Sequence, residues 1–298
     1  MSKNKLLRIG TRRSALAKSQ TNWVIGQLAK YYPDLKIEIV EIVTTGDRIL
    51  NSALSKMPGK GVFVKEIEDK LLAKEIDLAV HSMKDLPTEF SAGLKIGAIT
   101  ERVDPRDVFI SRHNKNLEEV PVSARVGTSS LRRQAQLLRF RPDLKIVDIR
   151  GNIDTRLNKS ETEEYDGIIL AAAGLVRMGW DDRIQQYLSC DVMIPAVGQG
   201  ALGIEIREGD GETQVLLEPL SDAATAIAVK AERAFLAGMG GGCQTPMGAF
   251  CRERDGEIIM HAFCSDEDGS NFKKESLEGR LSDAVIIAKQ IVAKFKAS

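Results

Sequence analysis

Along the first hundred residues, short apolar runs alternate with longer amphipathic stretches. Leu6-Leu7-Arg8-Ile9-Gly10 predicts a strand, and Ser14 then caps a helix carrying Leu16, Trp23, Val24, Gln27 and Leu28 at mixed three- and four-residue steps. Within 35–43, Ile37, Ile39 and Glu41 alternate with Glu38, Val40 and Ile42, a second strand. Phe63, Ile67 and Leu71 stand four apart and predict a helix over 62–73. Asp77 to His81 and Leu94 to Ile99 read as further strands. Strand–helix–strand order predicts parallel strands with crossover helices, an α/β fold.

The pattern then starts again. Arg125-Val126-Gly127 is a strand, Ser130 to Phe140 a helix, Leu144 to Ile149 a strand, and Tyr165 to Ala171 a strand followed by a helix. Thr100 to Asp107 is a polar crossing between the halves, and Pro195 to Gly200 a return crossing. Ala201 to Ile206 is a strand placed to rejoin the first sheet. The stretches Gly10-Thr11-Arg12-Arg13-Ser14 and Gly127-Thr128-Ser129-Ser130-Leu131-Arg132-Arg133 echo each other weakly. Two such lobes joined by two crossings predict a cleft at the carboxyl ends of their strands.

The last eighty residues differ. Ser221-Asp222 opens a helix with Ile227, Ala231, Ala234 and Phe235 on one face and Gly238 as its stop. Ala249 to Cys251 and Glu257 to Cys264 predict antiparallel strands about a turn at Asp255-Gly256, and Leu281 to Phe295 a closing helix. This is a small α+β domain.

Length and composition narrow the picture. A chain of 298 residues suits two or three domains, and 43% apolar with 28% charged residues excludes wholesale disorder. Lys+Arg and Asp+Glu both number 42, so a whole-surface attraction to nucleic acid or anionic membrane is not expected. No apolar run is long enough to span a bilayer, and the N-terminal stretch lacks the apolar core of a signal peptide. Four cysteines without a CxxC pair make neither a disulfide framework nor a zinc site of usual spacing. The expectation is a soluble, cytoplasmic protein without a metal.

Against this neutral background, 125–156 is locally positive by five. Arg132 and Arg133 fall in the first turn of a helix, where cations are unfavourable, and Arg150 falls just past a strand end. A bound anion would explain the placement, a solvated helix face being the bland alternative. Few aromatics interleave the cluster, which disfavours nucleic acid. Lys84 and Asp85 follow an apolar strand directly in His81-Ser82-Met83-Lys84-Asp85-Leu86-Pro87. A carboxylate placed among cations stays ionised and can stabilise a developing positive charge or shuttle a proton; an ordinary polar loop is the alternative. Cys243 lies in the glycine-rich stretch Gly238-Met239-Gly240-Gly241-Gly242-Cys243, where covalent chemistry is plausible, whereas Cys190, Cys251 and Cys264 read as structural. The aperiodic segment Asp47 to Gly61 is either a lid or a plain surface loop.

Six stretches then converge. Gly10-Thr11-Arg12-Arg13-Ser14-Ala15-Leu16-Ala17, Thr45-Gly46-Asp47, His81 to Pro87, Gly127 to Gln134, Arg150-Gly151-Asn152, and Glu232-Arg233-Ala234-Phe235-Leu236 leading into Gly241-Gly242-Cys243-Gln244-Thr245-Pro246 resemble, in order, the porphobilinogen deaminases (hydroxymethylbilane synthases). The resemblance covers essentially the whole chain. It implies two periplasmic-binding-protein-like lobes with a hinge (1–100 with 201–218, and 101–200) and a cofactor-attachment domain at 219–298. It implies a monomeric transferase of porphyrin and haem biosynthesis that condenses four porphobilinogen units, each losing ammonia, into hydroxymethylbilane.

The implied cofactor is dipyrromethane, held by a thioether to Cys243. The resemblance makes Asp85, with Lys84, the catalytic group that protonates the leaving amine and stabilises an azafulvenium cation. It assigns Ser14, Lys84, Asp85, Ser130, Arg132, Arg133, Gly174 and Gly242 to the cofactor, and Arg12, Arg150, Arg156, Arg177 and Gln199 to the substrate and the growing anionic chain. Nucleic-acid and membrane partners are not expected. The rivals are a two-lobed solute binder or regulator effector domain, which would not need a reactive cysteine, and a phosphate-handling transferase built on the two Gly-Thr helix starts.

Overall fold

The computed structural model describes residues 6–48, 64–241 and 245–297. The chain divides into two units, Met1–Arg102 with Ala201–Ala226, and Val103–Gly200 with Ile227–Ser298.

In the first unit, β1 (Leu6–Arg12) buries Leu7 and Ile9 and runs into α1 (Ala15–Tyr31), whose N-terminus is capped by the Ser14 hydroxyl accepting from Ala17 N–H. β2 (Lys36–Ile42), the short α2 (Thr45–Arg48), α3 (Lys65–Leu72), β3 (Leu78–Ser82) and β4 (Leu94–Ile99) follow. The sheet is completed by β10 (Leu202–Arg207), in the order β2-β1-β3-β10-β4. β1 is parallel to β2 and β3, and β10 is antiparallel to β3 and β4. The strand that was placed to rejoin the first sheet does so. Leu7, Ile9, Val24, Leu28, Leu78, Val80, Ile204 and Ile206 pack one face of the sheet against α1, and Ile42, Ile67, Leu71 and Ala79 pack the other against α3.

The second unit repeats the plan. It contains β5 (Asp107–Ser111), β6 (Arg125–Gly127), α4 (Leu131–Phe140), β7 (Lys145–Val147), α5 (Ile153–Lys159), β8 (Gly167–Ala171), α6 (Ala172–Met178) and β9 (Gln186–Tyr187), with sheet order β7-β6-β8-β5-β9. β6 is parallel to β7 and β8, and β5 is the antiparallel strand. Strand for strand, this is the order and direction of the first sheet. The two Gly-Thr stretches end equivalent strands, β1 and β6. β5 was not expected: Asp107-Val108-Phe109-Ile110-Ser111 is short and emerges without a break from the polar crossing, so its apolar core spans three residues only. α5 and β9 also escaped the periodicity, being too short to show one. α7 (Gly211–Leu217) of the first unit is a third such case.

The α+β domain follows through α8 (Ala223–Gly238) into β11 (Met247–Arg254), β12 (Glu257–Cys264) and β13 (Lys273–Arg280), closed by α9 (Ala284–Ala297). Arg254 pairs with Glu257 across a two-residue turn in which Asp255 (φ 55°) and Gly256 (φ 81°) are both left-handed, as a type I′ hairpin requires. Phe235, Met260, Ala288, Ile291 and Phe295 form its core. Ala135 of α4 joins Ile194, Phe250 and Phe263 in a separate cluster, so the three-stranded sheet packs on the lobe within this unit. Cys251 is buried and Cys190 and Cys264 half-buried, with burial pushing the last two thiols up.

Candidate active site

In the first unit the candidate residues gather at the carboxyl ends of β1 and β3, which are neighbours. Arg12, the last residue of β1, donates from Nε to Asp47 Oδ1 at 3.1 Å. Burial works to raise the Asp47 pKa, but the hydrogen bonds from Arg12 and Thr44 outweigh it and hold the carboxyl below its ordinary value. Ser14 is engaged as the α1 cap.

Beyond β3, Met83–Asp85 form one 3-10 turn. Met83 N–H donates to Ala201 O at 3.0 Å, and the Met83 and Leu86 side chains are buried on either side of half-buried Lys84 and exposed Asp85. The Asp85 carboxylate makes no hydrogen bond or ion pair with any described residue.

In the second unit Arg132 and Arg133 open α4, as expected, but neither lies on a solvated face: each is 6% exposed. Their partner is Asp107, at the start of β5 and fully buried. Arg133 donates to Asp107 Oδ1 from Nη2 at 2.7 Å and Nε at 3.1 Å, and Arg132 Nη1 lies 2.7 Å from Oδ2. Arg132 Nη1 also donates to Ile194 O, and Arg133 Nη1 to Ile169 O. Full burial would push the Asp107 carboxyl up, but the two guanidinium charges outweigh it and hold it far below its ordinary value. The unfavourable placement of two cations at a helix start is thus relieved by an internal carboxylate, Asp107, a partner that the sequence reading did not name. The trio still carries one net positive charge.

Asp107 was missed because its partners are 25 and 26 residues away; the available signal was an acid opening a short apolar run. Gln199 joins the cluster, donating from Nε2 to Asp107 Oδ1 at 3.1 Å and to Pro105 O at 2.7 Å.

The other candidates of this unit are placed as follows. Ser130 is the N-cap residue of α4 but its hydroxyl makes no cap bond, unlike that of Ser14. Arg177, in the last turn of α6, donates to Gly200 O at 2.8 Å, and Gly174 is buried in the same helix. Arg156 of α5 donates from Nε to Gly151 O at 2.8 Å and has no carboxylate within ion-pair distance among the described residues. Burial, aided by the Arg133 charge and opposed by Asp148, lowers its pKa to about 10; burial alone does the same for Arg177. Arg150 is spent on Asp148, at 2.7 Å. Gly242 and Cys243 lie outside the described residues, as does 49–61 of the segment read as lid or loop. No group of three or more His, Cys, Asp or Glu suited to a metal occurs among the described residues, nor any helix long and apolar enough to cross a membrane.

The donor chemistry is cationic and guanidinium-rich, and Arg156 holds a half-buried charge that makes no ion pair among the described residues. That suits a ligand bearing several carboxylates. Comparison with known proteins agrees. The dipyromethane cofactor binding domain of porphobilinogen deaminase matches residues 7–215, and the C-terminal domain of the same family matches 226–297. The porphobilinogen deaminase of Geobacillus kaustophilus is 54% identical over 93% of this chain and 90% of its own length. That of Brevibacillus brevis is 50% identical over 96% and 94%. Among solved structures, the periplasmic aliphatic sulphonate binding protein SsuA from Escherichia coli aligns over 78% of this chain and 70% of its own at 14% identity and a TM-score of 0.41, too low a likeness to bear on either fold or function. With both domains matched in register and relatives at half or more identity along nine-tenths of its length, the chain belongs to the porphobilinogen deaminase family.

Proposed function

We propose that this chain performs its family's reaction with Asp85 as the acid and a set of arginines as the holders of its carboxylates. It is a hydroxymethylbilane synthase: four porphobilinogen molecules are joined head to tail, each losing ammonia, and water releases the linear tetrapyrrole. Its cofactor is dipyrromethane. We assign its thioether to Cys243, leaving Cys190, Cys251 and Cys264 to structural roles. When bound, the cofactor supplies the pyrrole carbon from which the chain grows.

The residues of this chain do the rest. Each pyrrole brings two carboxylates, so the product chain gains negative charge at every addition. Arg132, Arg133, Arg156, Arg177, Ser130 and Gln199, with backbone at Gly174 and Gly242, hold those carboxylates; Arg12, Ser14, Lys84 and Arg150 serve the same end. Arg156 makes no ion pair of its own among the described residues, since the nearby Asp148 is paired with Arg150, and this supports its place in the set. Asp107 tempers Arg132 and Arg133 to a single net charge, so bound carboxylates are held by directed hydrogen bonds more than by bulk charge.

Loss of ammonia leaves a cation on the substrate. Asp85 donates the proton to the departing amine, then faces that cation as a carboxylate, and afterwards takes the proton lost on coupling. The observation that carries this role is that its side chain is exposed and engages no described residue, whereas Asp47 and Asp107 are both occupied by arginines. By analogy with preorganised electrostatic groups, Asp85 supplies about 2.7–4 kcal/mol or more of the barrier reduction.

The test is paired. Asp85→Asn is expected to fold and to lose nearly all turnover; near-normal product formation refutes its role. Cys243→Ala is expected to lack the mass of two pyrrole units in intact mass spectrometry; a protein still carrying that mass refutes the attachment. The same reading makes the enzyme a cytoplasmic monomer, and gel filtration of the loaded protein tests its oligomeric state.

A further inference from the structure

The face of the first sheet covered by α3 holds a buried polar cluster that the reaction leaves unused. Glu205 of β10 is fully buried, with Oε2 3.0 Å from His81 Nε2 of β3. Glu68 of α3, also buried, accepts a hydrogen bond from Ser91. One oxygen of each glutamate, Oε1, is buried without a hydrogen-bond partner. Burial raises the Glu68 pKa; the Ser91 hydroxyl opposes this and the Glu205 charge adds to it. Two carboxylates and an imidazole in a layer otherwise built from Ile67, Leu71, Ala79 and Leu94 add little net stability, because desolvation offsets their attraction. A reason for them has to be sought in what they hold in place.

His81 is paired directly with Gly203 across β3 and β10, while Glu205 is paired with Ala79. The imidazole therefore reaches Glu205 diagonally, leaning back along the strand away from the 3-10 turn. The space over Gly203 is filled instead by Met83 and Leu86: a Cβ at Gly203 would lie 2.8 Å from Leu86 Cδ1 and 2.9 Å from Met83 Sδ. These are the two buried anchors that flank Lys84 and Asp85 in sequence. The room they occupy is the room an untethered His81 ring would swing into.

We propose that His81 and Glu205 are positioning residues for Asp85: the bond between them keeps the imidazole out of the Gly203 groove, so that Met83 and Leu86 seat the 3-10 turn and fix the Asp85 carboxylate. The inference rests on the catalytic role given to Asp85 above. Displacement of such a group by about 1 Å costs on the order of 100-fold in rate, whereas a purely structural pair would change stability alone.

The test uses cofactor-loaded protein, with loading checked by intact mass. Glu205→Leu, which leaves no acceptor for the imidazole, is expected to lower kcat about 10- to 100-fold with KM within about 2-fold, and to speed hydrogen exchange at the Met83 amide, which donates to Ala201. Should that variant fail to fold, His81 supplies the second arm. His81→Gln keeps a side-chain donor for Glu205 and is expected to hold kcat within about 3-fold, while His81→Ala falls as Glu205→Leu does. Wild-type kcat and Met83 protection in loaded Glu205→Leu, or equal kcat in the two His81 variants, overturns the proposal. Normal turnover by Asp85→Asn would instead remove the reading on which it rests, so the two failures are distinguishable.

Discussion

Arg133 grips Asp107 with two nitrogens, Nη2 at 2.7 Å and Nε at 3.1 Å, and neither residue is open to solvent. Removing the carboxylate charge leaves two buried guanidiniums facing each other without a counter-ion. Asp107→Asn is therefore expected to cost about 3–5 kcal/mol, the range for breaking a buried ion pair from one side. Urea denaturation read by circular dichroism measures it; a loss below about 1 kcal/mol would mean that water or the second-nearest carbonyls take over the arginines.

The same aspartate shapes the acid limb of stability. Asp107 is held far below its ordinary value, and Asp166, where the Arg125 N–H and side chain outweigh burial, is held at about 2. An unfolded aspartate titrates near 3.9, so the folded chain binds fewer protons than the unfolded one between these values. The stability these groups contribute is whole above about pH 5 and is lost as pH falls toward about 2. Glu68, shifted upward, works in the opposite sense, while His261, shifted downward by burial and the Arg252 and Lys274 charges, costs stability as pH falls below its ordinary value. Urea midpoints are expected to drop clearly between pH 5 and pH 3.

Arg156 donates to a backbone carbonyl and makes no ion pair among the described residues. Arg156→Gln removes a half-buried cation whose nearby acid, Asp148, is already paired with Arg150, so its thermal midpoint should change little. Its cost falls on anion binding: a charge-assisted hydrogen bond of about 1.5–3 kcal/mol corresponds to about a 10- to 100-fold rise in KM. Steady-state kinetics with porphobilinogen decide it; an unchanged KM would remove Arg156 from the carboxylate-binding set.

Two glycines of the C-terminal sheet should respond differently to alanine. At Gly248 a Cβ would lie 2.6 Å from Pro195 O and 3.0 Å from Ile194 O, both backbone atoms with little room to yield. Gly248→Ala is expected to cost about 1–3 kcal/mol through overpacking. Gly256 has nothing within 4 Å but sits at φ +81° in the hairpin turn, so Gly256→Ala costs only the left-handed strain, about 1 kcal/mol. Paired thermal melts separate the two; equal losses would contradict the close contact at Gly248.

Much of this architecture was legible in the sequence because local signals carried it. Ser14 announced α1 through its capping position, and Asp255-Gly256 announced the hairpin, an Asp-Gly pair being a favoured type I′ turn. β5 was hidden, since its three apolar residues follow a charged crossing and gain meaning only between β8 and β9. β13 was hidden for another reason: its alternating sequence, Lys273 to Arg280, is almost wholly polar, and as an edge strand it needs little apolar surface. Among the candidate site residues, Lys84, Asp85, Arg132, Arg133 and Arg150 stood out from strand ends and local charge, whereas Arg177 came only with the family resemblance. Asp107 and the His81–Glu205 bond could not, because each partnership joins residues distant in sequence. Cys243 stood out by its glycine setting and lies outside the described residues.

Among the described residues β4 pairs only with β10, and β10 is about a hundred residues further along the chain. On the ribosome, at about 5–20 residues per second, the N-terminal lobe must wait several seconds with the β3 edge bare while the whole second sheet emerges. The newborn chain is thus most exposed to sticking to its neighbours midway through translation, and a message truncated before Leu202 would yield a lobe unable to close.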